Sequence, residues 1–328
     1  MAESKSQRYP RVWFITGCSS GFGNIFVSAI LASGDRVIAT ARDISTLSDF
    51  AHCDNVKVLE LDITDSQDSL DENVSKAIAM FGHIDVLVNN AGYVLYGVLE
   101  ELRCGILLCV TLWFLGPLVD FCLLCYINSQ SQILNQFNTN FFGPLNLTRA
   151  VLPHMRSRQS GTVIFMSSIA AWKGVAVGGP YSASKFALEG FVESLKKEVA
   201  AFGVNLHLAV LGQFRTDILS AHRRQSGRGA NSIRDYDAAV YAFKNRLEQT
   251  NGKQPGDPTQ AVERIMDLVY RRGHFAGQEE LPLRIVLGSD AVAIVRGECQ
   301  QMLNDLKKQE EYGRSTDYQG TAGVGKYE

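Results

Sequence analysis

Short apolar runs alternate with helical segments along the first 90 residues of this chain. A run that is apolar throughout, rather than at every second residue, is typical of a strand buried on both faces. When such strands are joined by helical crossovers, they form a parallel sheet covered by helices. The runs are VWFIT (12–16), RVIATA (36–41), VKVLELD (56–62) and IDVLVNN (84–90), with helices predicted from about Gly21 to Ser33 and up to about Phe81.

The same alternation resumes further along the chain. Strands are predicted at 161–168, 204–211 and 281–288, and helices at 132–155, 181–203, near 235–249, from the cap Asp257 onward, and up to about Lys308. We therefore predict one α/β domain over residues 10–310, a Rossmann-type doubly wound parallel sheet of seven strands with helices on both faces. Residues 1–9 and 311–328 are predicted to be tails.

Composition excludes several classes of function. The 328 residues carry a formal net charge of −2, with 20% charged and 46% hydrophobic residues, so nothing favours nucleic acid or an acidic membrane surface as a partner. The first residues have no apolar core of signal-peptide length, so we expect a cytoplasmic protein with reduced thiols. No metal site is predicted among the six histidines.

Residues 103–128 interrupt the pattern with an almost wholly apolar run that holds four of the seven cysteines. A single membrane span here would separate strands of one sheet, so it is excluded. A hairpin of two arms, each about 12 residues and about 18 Å long, would not cross a hydrocarbon core of about 30 Å. Membrane contact is therefore expected only as a shallow insertion of this segment. The cysteine spacing superficially suits zinc, but the apolar flanks offer no polar support for a metal.

The segment has the boundaries of an insert. Removing it joins LEEL (99–102) to SQSQ (129–132), where Ser129 and Gln132 form a capping-box pattern for the next helix. The codons that Arg103 and Ser129 allow fit the ends of an in-frame intron, and a retained intron is our leading interpretation. A genuine apolar insert that covers the site or touches a membrane is the other.

The stretch TGCSSGFG (16–23) lies where the first strand turns into the first helix. Gly17 allows a tight turn, and Gly21 and Gly23 let the backbone approach a pyrophosphate at the positive end of the helix. Such a turn also occurs for packing alone. Its position in a βαβ unit favours a dinucleotide.

The spacing of these glycines, with three residues and then one between them, resembles the classical short-chain dehydrogenase/reductase family. Four further stretches in the family's order extend that resemblance over residues 10 to 290: NNAG (89–92), NTNFFG (138–143), the strand ending at Ser168, and YSASK (181–185). Within the family the chain is most similar to fungal oxidoreductases and to the retinol or 17β-hydroxysteroid dehydrogenase branch.

Three of these residues make a plausible proton-transfer site. Tyr181 and Lys185 are four residues apart and so share one helix face. A nearby ammonium would favour the phenolate of Tyr181 and lower its pKa toward the working range. Ser168 could hydrogen-bond the same substrate oxygen. The resemblance adds Asn140, which holds a water in a proton relay to Lys185, and it implies that Tyr181 and Lys185 also contact the cofactor.

The end of the second strand predicts the cofactor. NAD enzymes place a carboxylate there, whereas this chain has Arg42, which can pair with the 2′-phosphate of NADP alongside Ser19 and Ser20. Asp43 follows and weakens the argument slightly. The resemblance further implies that Asp62 and Ile63 flank the adenine, that Asn89 lies near the ribose, and that Thr216 belongs to the cofactor site.

One departure from the family lies after the sixth strand. The family has proline and glycine there, and this chain has Leu211 and Gly212. Losing the proline removes rigidity, so we expect a looser loop with the site retained.

The sequence therefore predicts an NADP-dependent oxidoreductase that reduces a ketone or aldehyde, or oxidises a secondary alcohol. The alternative is a non-catalytic NADP-binding protein, disabled because the insert distorts the helix that carries Asn140. A small apolar substrate is favoured by apolar residues in the predicted lid, although these could equally be core residues; they are Phe214, Ile218, Leu219, Tyr236 and Phe243. The sequence allows a homo-oligomer but does not select one.

Overall fold

A parallel sheet of seven strands forms the centre of the molecule. The computed structural model describes residues 9–50, 52–102, 132–219, 224–226 and 232–318. The strands are β1 (Val12–Ile15), β2 (Arg36–Ala41), β3 (Val56–Glu60), β4 (Val86–Asn89), β6 (Gly161–Met166), β7 (Val204–Leu211) and β9 (Arg284–Leu287). Their order is β3-β2-β1-β4-β6-β7-β9 and every pairing is parallel, which confirms the predicted doubly wound sheet.

Helices cover both faces of this sheet. They are α1 (Gly21–Ala32), α2 (Gln67–Phe81), α3 (Gly143–Arg158), α4 (Gly179–Val199), α5 (Asp237–Thr250), α6 (Pro258–Tyr270) and α7 (Ser289–Arg314). Side chains of α2, α3 and α4 pack in one apolar core. Side chains of α1 and α6 pack in a second apolar core. Successive residues of β1 alternate between the two cores, because strand side chains point to opposite faces. This alternation explains why the strand is apolar throughout.

Helix ends agree with the predicted caps, with one correction. The Asp257 carboxylate accepts a hydrogen bond from the Thr259 amide at 2.8 Å and begins α6 as expected. The last helix continues to Arg314, six residues beyond the predicted end at Lys308. Residues 311–314 are therefore helical, and the Arg314–Glu310 ion pair, one turn apart at 2.7 Å, stabilises that extension.

A second, two-stranded parallel sheet was not predicted. It pairs β5 (Val94–Tyr96) with β8 (Arg224–Ser226), in a region expected to be irregular. Strands of three residues are too short for their side-chain alternation to be recognised in a sequence. This small sheet joins the loop after β4 to the segment after β7.

The insert 103–128, with its four cysteines, and Ser129 lie outside the described residues. Within the described ranges, none of the helices combines the length and the apolar character needed to cross a membrane. The three cysteines that are described, Cys18, Cys53 and Cys299, are free thiols.

Candidate active site

In the turn between β1 and α1, glycines allow the backbone segments to pack closely against each other. Gly17 has a φ of 69°, in the left-handed region that favours glycine. A Cβ atom at Gly23 would lie 2.2 Å from the carbonyl oxygen of Gly17, so the first turn of α1 can pack there only without a side chain. Ser20 precedes the helix, and its side chain makes no capping bond within the described chain. The amides at this positive helix end therefore face the groove that the turn borders.

A groove of about 790 Å³ runs along the carboxyl ends of the strands from this turn. Ligands of open α/β sheets bind in such a crevice. Its tight glycine turn, helix N-terminus and hydroxyl groups fit a dinucleotide. Eight of the residues predicted to bind the cofactor line it: Gly17, Ser19, Ser20, Gly21, Arg42, Asp62, Ile63 and Thr216.

Outside the groove lining lie the other four predicted cofactor residues: Gly23, Asn89, Tyr181 and Lys185. Gly23 packs beneath the turn, as described above. Asn89 is 4% exposed, and its side-chain amide donates to the Thr148 hydroxyl at 3.0 Å. The neighbouring Asn90, which sequence reasoning did not single out, lines the groove and donates to the Thr16 carbonyl at 2.8 Å. Asn89 thus connects the end of β4 to α3, and Asn90 supports the glycine turn.

The two charged residues that follow β2, Arg42 and Asp43, have different surroundings. Arg42 is exposed and lines the groove. The Asp43 carboxylate instead accepts hydrogen bonds from the amide and the hydroxyl of Ser45, at 2.9 and 2.7 Å, and these bonds lower its pKa. A cation therefore borders the groove here, while the adjacent anion is engaged in a local turn.

Ser168, Tyr181 and Lys185 line a second cavity, of about 240 Å³. Ser168 follows β6 and its hydroxyl accepts a hydrogen bond from the Ala170 amide at 3.1 Å. Tyr181 and Lys185 lie on one face of α4, one turn apart. The end of a strand and the first turns of a helix thus bring the three side chains to one wall.

The electrostatics of Tyr181 differ from the sequence-based prediction. Burial raises the pKa of its phenol, and a hydrogen bond with Ser168 opposes that shift. Lys185 is not among the causes of this shift while its ammonium donates to the Met166 carbonyl, at 2.7 Å. The expected shift toward the working range is therefore wrong for this arrangement, and the phenol is protonated at neutral pH.

Lys185 itself is 7% exposed. Burial lowers its pKa to about 8, while the negative charge of Glu189 opposes the shift. Glu189, one turn further along α4, also accepts a hydrogen bond from the Ser167 hydroxyl at 2.5 Å. Sequence reasoning missed Glu189, although its spacing of four residues from Lys185 placed it on the same helix face.

Asn140 lies in a π-helical turn, Asn138–Phe142, directly before α3. Such turns often occur at functional sites. The Asn140 side chain is 1% exposed; its amide donates to the Tyr93 carbonyl at 3.1 Å and its oxygen accepts from the Tyr93 amide at 3.2 Å. Asn140 also donates to the Ser184 hydroxyl at 3.3 Å and lines the second cavity.

Gln136, one turn before Asn140, was missed by sequence reasoning. Its oxygen accepts from the Leu95 amide at 2.6 Å and its amide donates to the Tyr93 carbonyl at 3.0 Å. Two side chains therefore bind this helix to the loop that carries β5. Because these contacts connect the chain on either side of the 103–128 segment, the described residues do not favour a distorted Asn140 helix.

The loop after β7 joins the groove to the cavity. The structure gives the expected looseness no support, because backbone bonds hold the loop on two sides: Gly212 donates to Leu287 at 2.9 Å, and Gly256 donates to Gln213 at 3.0 Å. Thr216 faces Gly21 across the groove. The groove and the cavity share a wall, because six residues line both of them: Phe22, Asn90, Gly92, Tyr93, Thr216 and Ile218.

The walls of the second cavity are largely apolar. Three of the apolar residues that the sequence assigned to a lid line this cavity: Phe214, Ile218 and Phe243. Tyr236 does not line the cavity, because its hydroxyl donates to the Glu100 carboxylate at 2.7 Å at the surface. The side chain of Leu219 is outside the described residues.

A parallel sheet of this order with a glycine-lined groove at its carboxyl edge is typical of nucleotide-binding α/β proteins. The family model described as short chain dehydrogenase matches residues 11–104 and 126–227. The chain belongs to that family, the short-chain dehydrogenases/reductases, as the resemblance predicted. The match breaks off between 104 and 126, within the segment interpreted as an insert.

Individual relatives agree with this assignment. Oxidoreductase BOA17 of Botryotinia fuckeliana is 30% identical over 285 residues, covering 86% of this chain and 90% of that protein. Retinol dehydrogenase 8 of Bos taurus is 34% identical over 275 residues, covering 78% of each. The crystal structure of a short-chain dehydrogenase from Streptomyces avermitilis superposes with a TM-score of 0.77 at 33% identity, covering 94% of this chain and 100% of that one. The predicted similarity to fungal oxidoreductases and retinol dehydrogenases is confirmed.

Proposed function

We propose that this protein is an NADP(H)-dependent reductase of ketones or aldehydes that can also oxidise a secondary alcohol. The observation that carries the proposal is the shared wall between the glycine-lined groove and the apolar cavity of Ser168, Tyr181 and Lys185. A cofactor in the first hollow and a carbonyl compound in the second would meet at that wall.

The groove would hold the hydride donor, and the cavity would hold the carbonyl compound together with the proton donor. A nicotinamide bound in the groove would supply the hydride. Tyr181, whose raised pKa keeps it protonated, would donate its hydroxyl proton to the carbonyl oxygen. Ser168 would hydrogen-bond that oxygen. The Lys185 ammonium would turn from the Met166 carbonyl toward the phenolate that remains and stabilise it. In the oxidation direction, the same phenolate would accept the alcohol proton.

The preference for NADP(H) is supported by the end of β2. Arg42 borders the groove where the predicted 2′-phosphate would lie, and it can pair with a phosphate in two hydrogen bonds. The hydroxyls of Ser19 and Ser20 border the same groove. Because Asp43 is engaged with Ser45, its carboxylate does not oppose this pairing.

An apolar substrate is supported by the cavity. Phe214, Phe243 and Leu247 contribute to walls that would hold a hydrocarbon skeleton. One relative is named for retinol, a largely hydrocarbon alcohol, which agrees with this substrate class.

Two measurements test the proposal. Titration of the purified protein with NADPH and NADH should show tighter binding of NADPH. A panel of aldehydes and apolar ketones should then show substrate-dependent consumption of NADPH. Tight NADPH binding without turnover of any panel member would instead support a non-catalytic NADP-binding protein.

A further inference from the structure

Gln254 lies in the connection between α5 and α6, and its backbone is firmly held. The Arg215 guanidinium donates to the Gln254 carbonyl at 3.2 Å. Two residues on, Gly256 forms a bridge with the loop after β7, donating to Gln213 and accepting from Arg215, each at 3.0 Å. A Cβ atom at Gly256 would lie 2.5 Å from the Phe214 ring, so the two segments are in close contact. The position of Gln254 is therefore set by the same loop that joins the groove to the cavity.

The Gln254 side chain is 1% exposed and lines the cavity of Tyr181 and Ser168. Among the residues that the structure describes, neither its amide nitrogen nor its carbonyl oxygen has a hydrogen-bond partner. A buried amide without partners destabilises the folded state, and native proteins usually satisfy such groups. The cost is explained if a ligand supplies the missing partners.

The surroundings indicate what kind of ligand group this is. Phe214, Phe243 and Leu247 line the same cavity as Gln254 and give it apolar walls, so the amide is a polar point in a hydrocarbon-binding cavity. A primary amide both donates and accepts, and it is neutral. It therefore complements a neutral group that also donates and accepts, such as a hydroxyl.

We propose that Gln254 binds a hydroxyl group carried by the substrate at a distance from its reacting carbonyl. This inference rests on the proposed function, because it names the class of carbonyl compound that the site reduces: apolar hydroxyketones or hydroxyaldehydes. Gln254 is then a specificity-determining residue, which distinguishes such compounds from plain hydrocarbon ketones.

The test compares matched ketones on one carbon skeleton. The series contains ketones with a hydroxyl group at successive positions of the skeleton. For each of these, one matched ketone has a methyl group at that position and another has a carboxylate. The wild-type protein should prefer at least one hydroxyketone over its methyl counterpart by about tenfold or more in kcat/KM, because a site with an unpaired buried amide rejects the analogue that cannot bond it. In Gln254→Leu this preference should fall to within about twofold, while kcat/KM for the methyl ketone is retained or raised.

Thr250→Val is the matched control. Thr250 lines the same cavity, but its hydroxyl already donates to the Arg246 carbonyl at 2.7 Å. This variant should keep the hydroxyketone preference. Gln254→Met provides a second apolar variant if Gln254→Leu does not fold, and NADPH binding by each variant checks the groove.

Three outcomes would overturn the assignment. The wild-type protein could show no hydroxyketone preference, or the preference could survive in Gln254→Leu. The wild-type protein could also prefer the ketone that carries a carboxylate, and this preference could be lost in Arg246→Gln. That result would show that Arg246, and not Gln254, binds the polar group of the substrate. Arg246 lines the same cavity, and its guanidinium lies 5.5 Å from the Phe243 ring centre.

Failure of the proposed function has a different signature, namely that no ketone consumes NADPH. The Gln254 assignment is then judged by ligand-induced melting shifts. A hydroxyketone should stabilise the wild-type protein and Thr250→Val more than Gln254→Leu, and equal shifts in all three would contradict it.

Discussion

Tyr181 has opposing influences on its phenol, since burial raises the pKa and the hydrogen bond with Ser168 lowers it. Tyr181→Phe removes the hydroxyl and keeps the ring. We expect turnover to fall by about 100-fold or more, because a general acid usually contributes at least that factor. NADPH binding, measured by fluorescence titration, should change little. Retention of more than about a tenth of the wild-type rate would contradict the proton-transfer role.

Arg42 allows the cofactor preference to be tested with one substitution. Arg42→Ala should weaken NADPH binding by about tenfold, the lower part of the range for a charge-assisted hydrogen bond, because the side chain is exposed. NADH binding should be nearly unchanged, since NADH has no 2′-phosphate. Equal losses of both cofactors in paired titrations would show that Arg42 does not bind the phosphate.

At the residue scale, the sequence predicted side chains that belong to contiguous motifs. Ser168, Tyr181, Lys185 and Asn140 are recognisable because the strand end and helix turns that present them are local. Gln136 and Gln254 were not predicted, since their roles depend on segments far away in the chain. Asn89 and Asn90 are adjacent and chemically identical, and only the fold shows which of them faces the groove.

One buried acid, Glu189, connects three elements beside the cavity of Ser168, Tyr181 and Lys185. Glu189 on α4 accepts from Ser167 after β6 and from the Arg284 guanidinium on β9, at 2.5 and 2.6 Å. Its charge also raises the pKa of Lys185. We therefore propose that Glu189 is a positioning residue, which holds the strand end beside Ser168 and favours the ammonium form of Lys185.

This arrangement predicts a pH effect. In the proposed mechanism, reduction requires the Lys185 ammonium, which exists below its pKa, so kcat/KM should fall as the pH rises through about 8. Glu189→Gln removes the charge that raises this pKa, so the alkaline fall should begin at a lower pH. Glu193→Gln is the control, because Glu193 also binds Arg284, at 2.9 Å, but does not contribute to the pKa shift of Lys185. Identical pH profiles in wild type and Glu189→Gln would exclude the electrostatic role.

At the element scale, strands buried on both faces and well-capped helices were predictable because their signals are local. The π-helical turn at Asn138–Phe142 was not, since the sequence there continues as a helix and the widened turn depends on side chains bonding to the loop after β4. The β5–β8 pair was missed for a related reason: its stability depends on a pairing between segments more than a hundred residues apart.

At the scale of the whole molecule, the main prediction concerns the 103–128 segment. A protein lacking Arg103 to Asn128 keeps every residue assigned to the groove and the cavity. Gln136 and Asn140 bind the loop after β4 through residues on either side of the deletion. We therefore expect the shortened protein to be more soluble, to melt at a higher temperature and to be at least as active. Thermal denaturation and the NADPH assay measure this.

The origin of the segment has a separate test. A retained intron requires AGG as the codon of Arg103 and AGC or AGT as the codon of Ser129, and most transcripts should skip from one to the other. A CGN codon at Arg103 would rule out this junction. Loss of activity in the shortened protein would instead assign the segment a structural role.

The contacts of Gln136 and Asn140 have one more consequence. They hold the helix against the loop after β4 independently of what connects Leu102 to Gln132, and Leu102 itself is buried at 4% exposure. This connection is therefore a suitable grafting point. We expect that a reporter domain or affinity module could replace the segment there without altering a described residue of the groove or the cavity, so that the protein could be labelled or immobilised at this point.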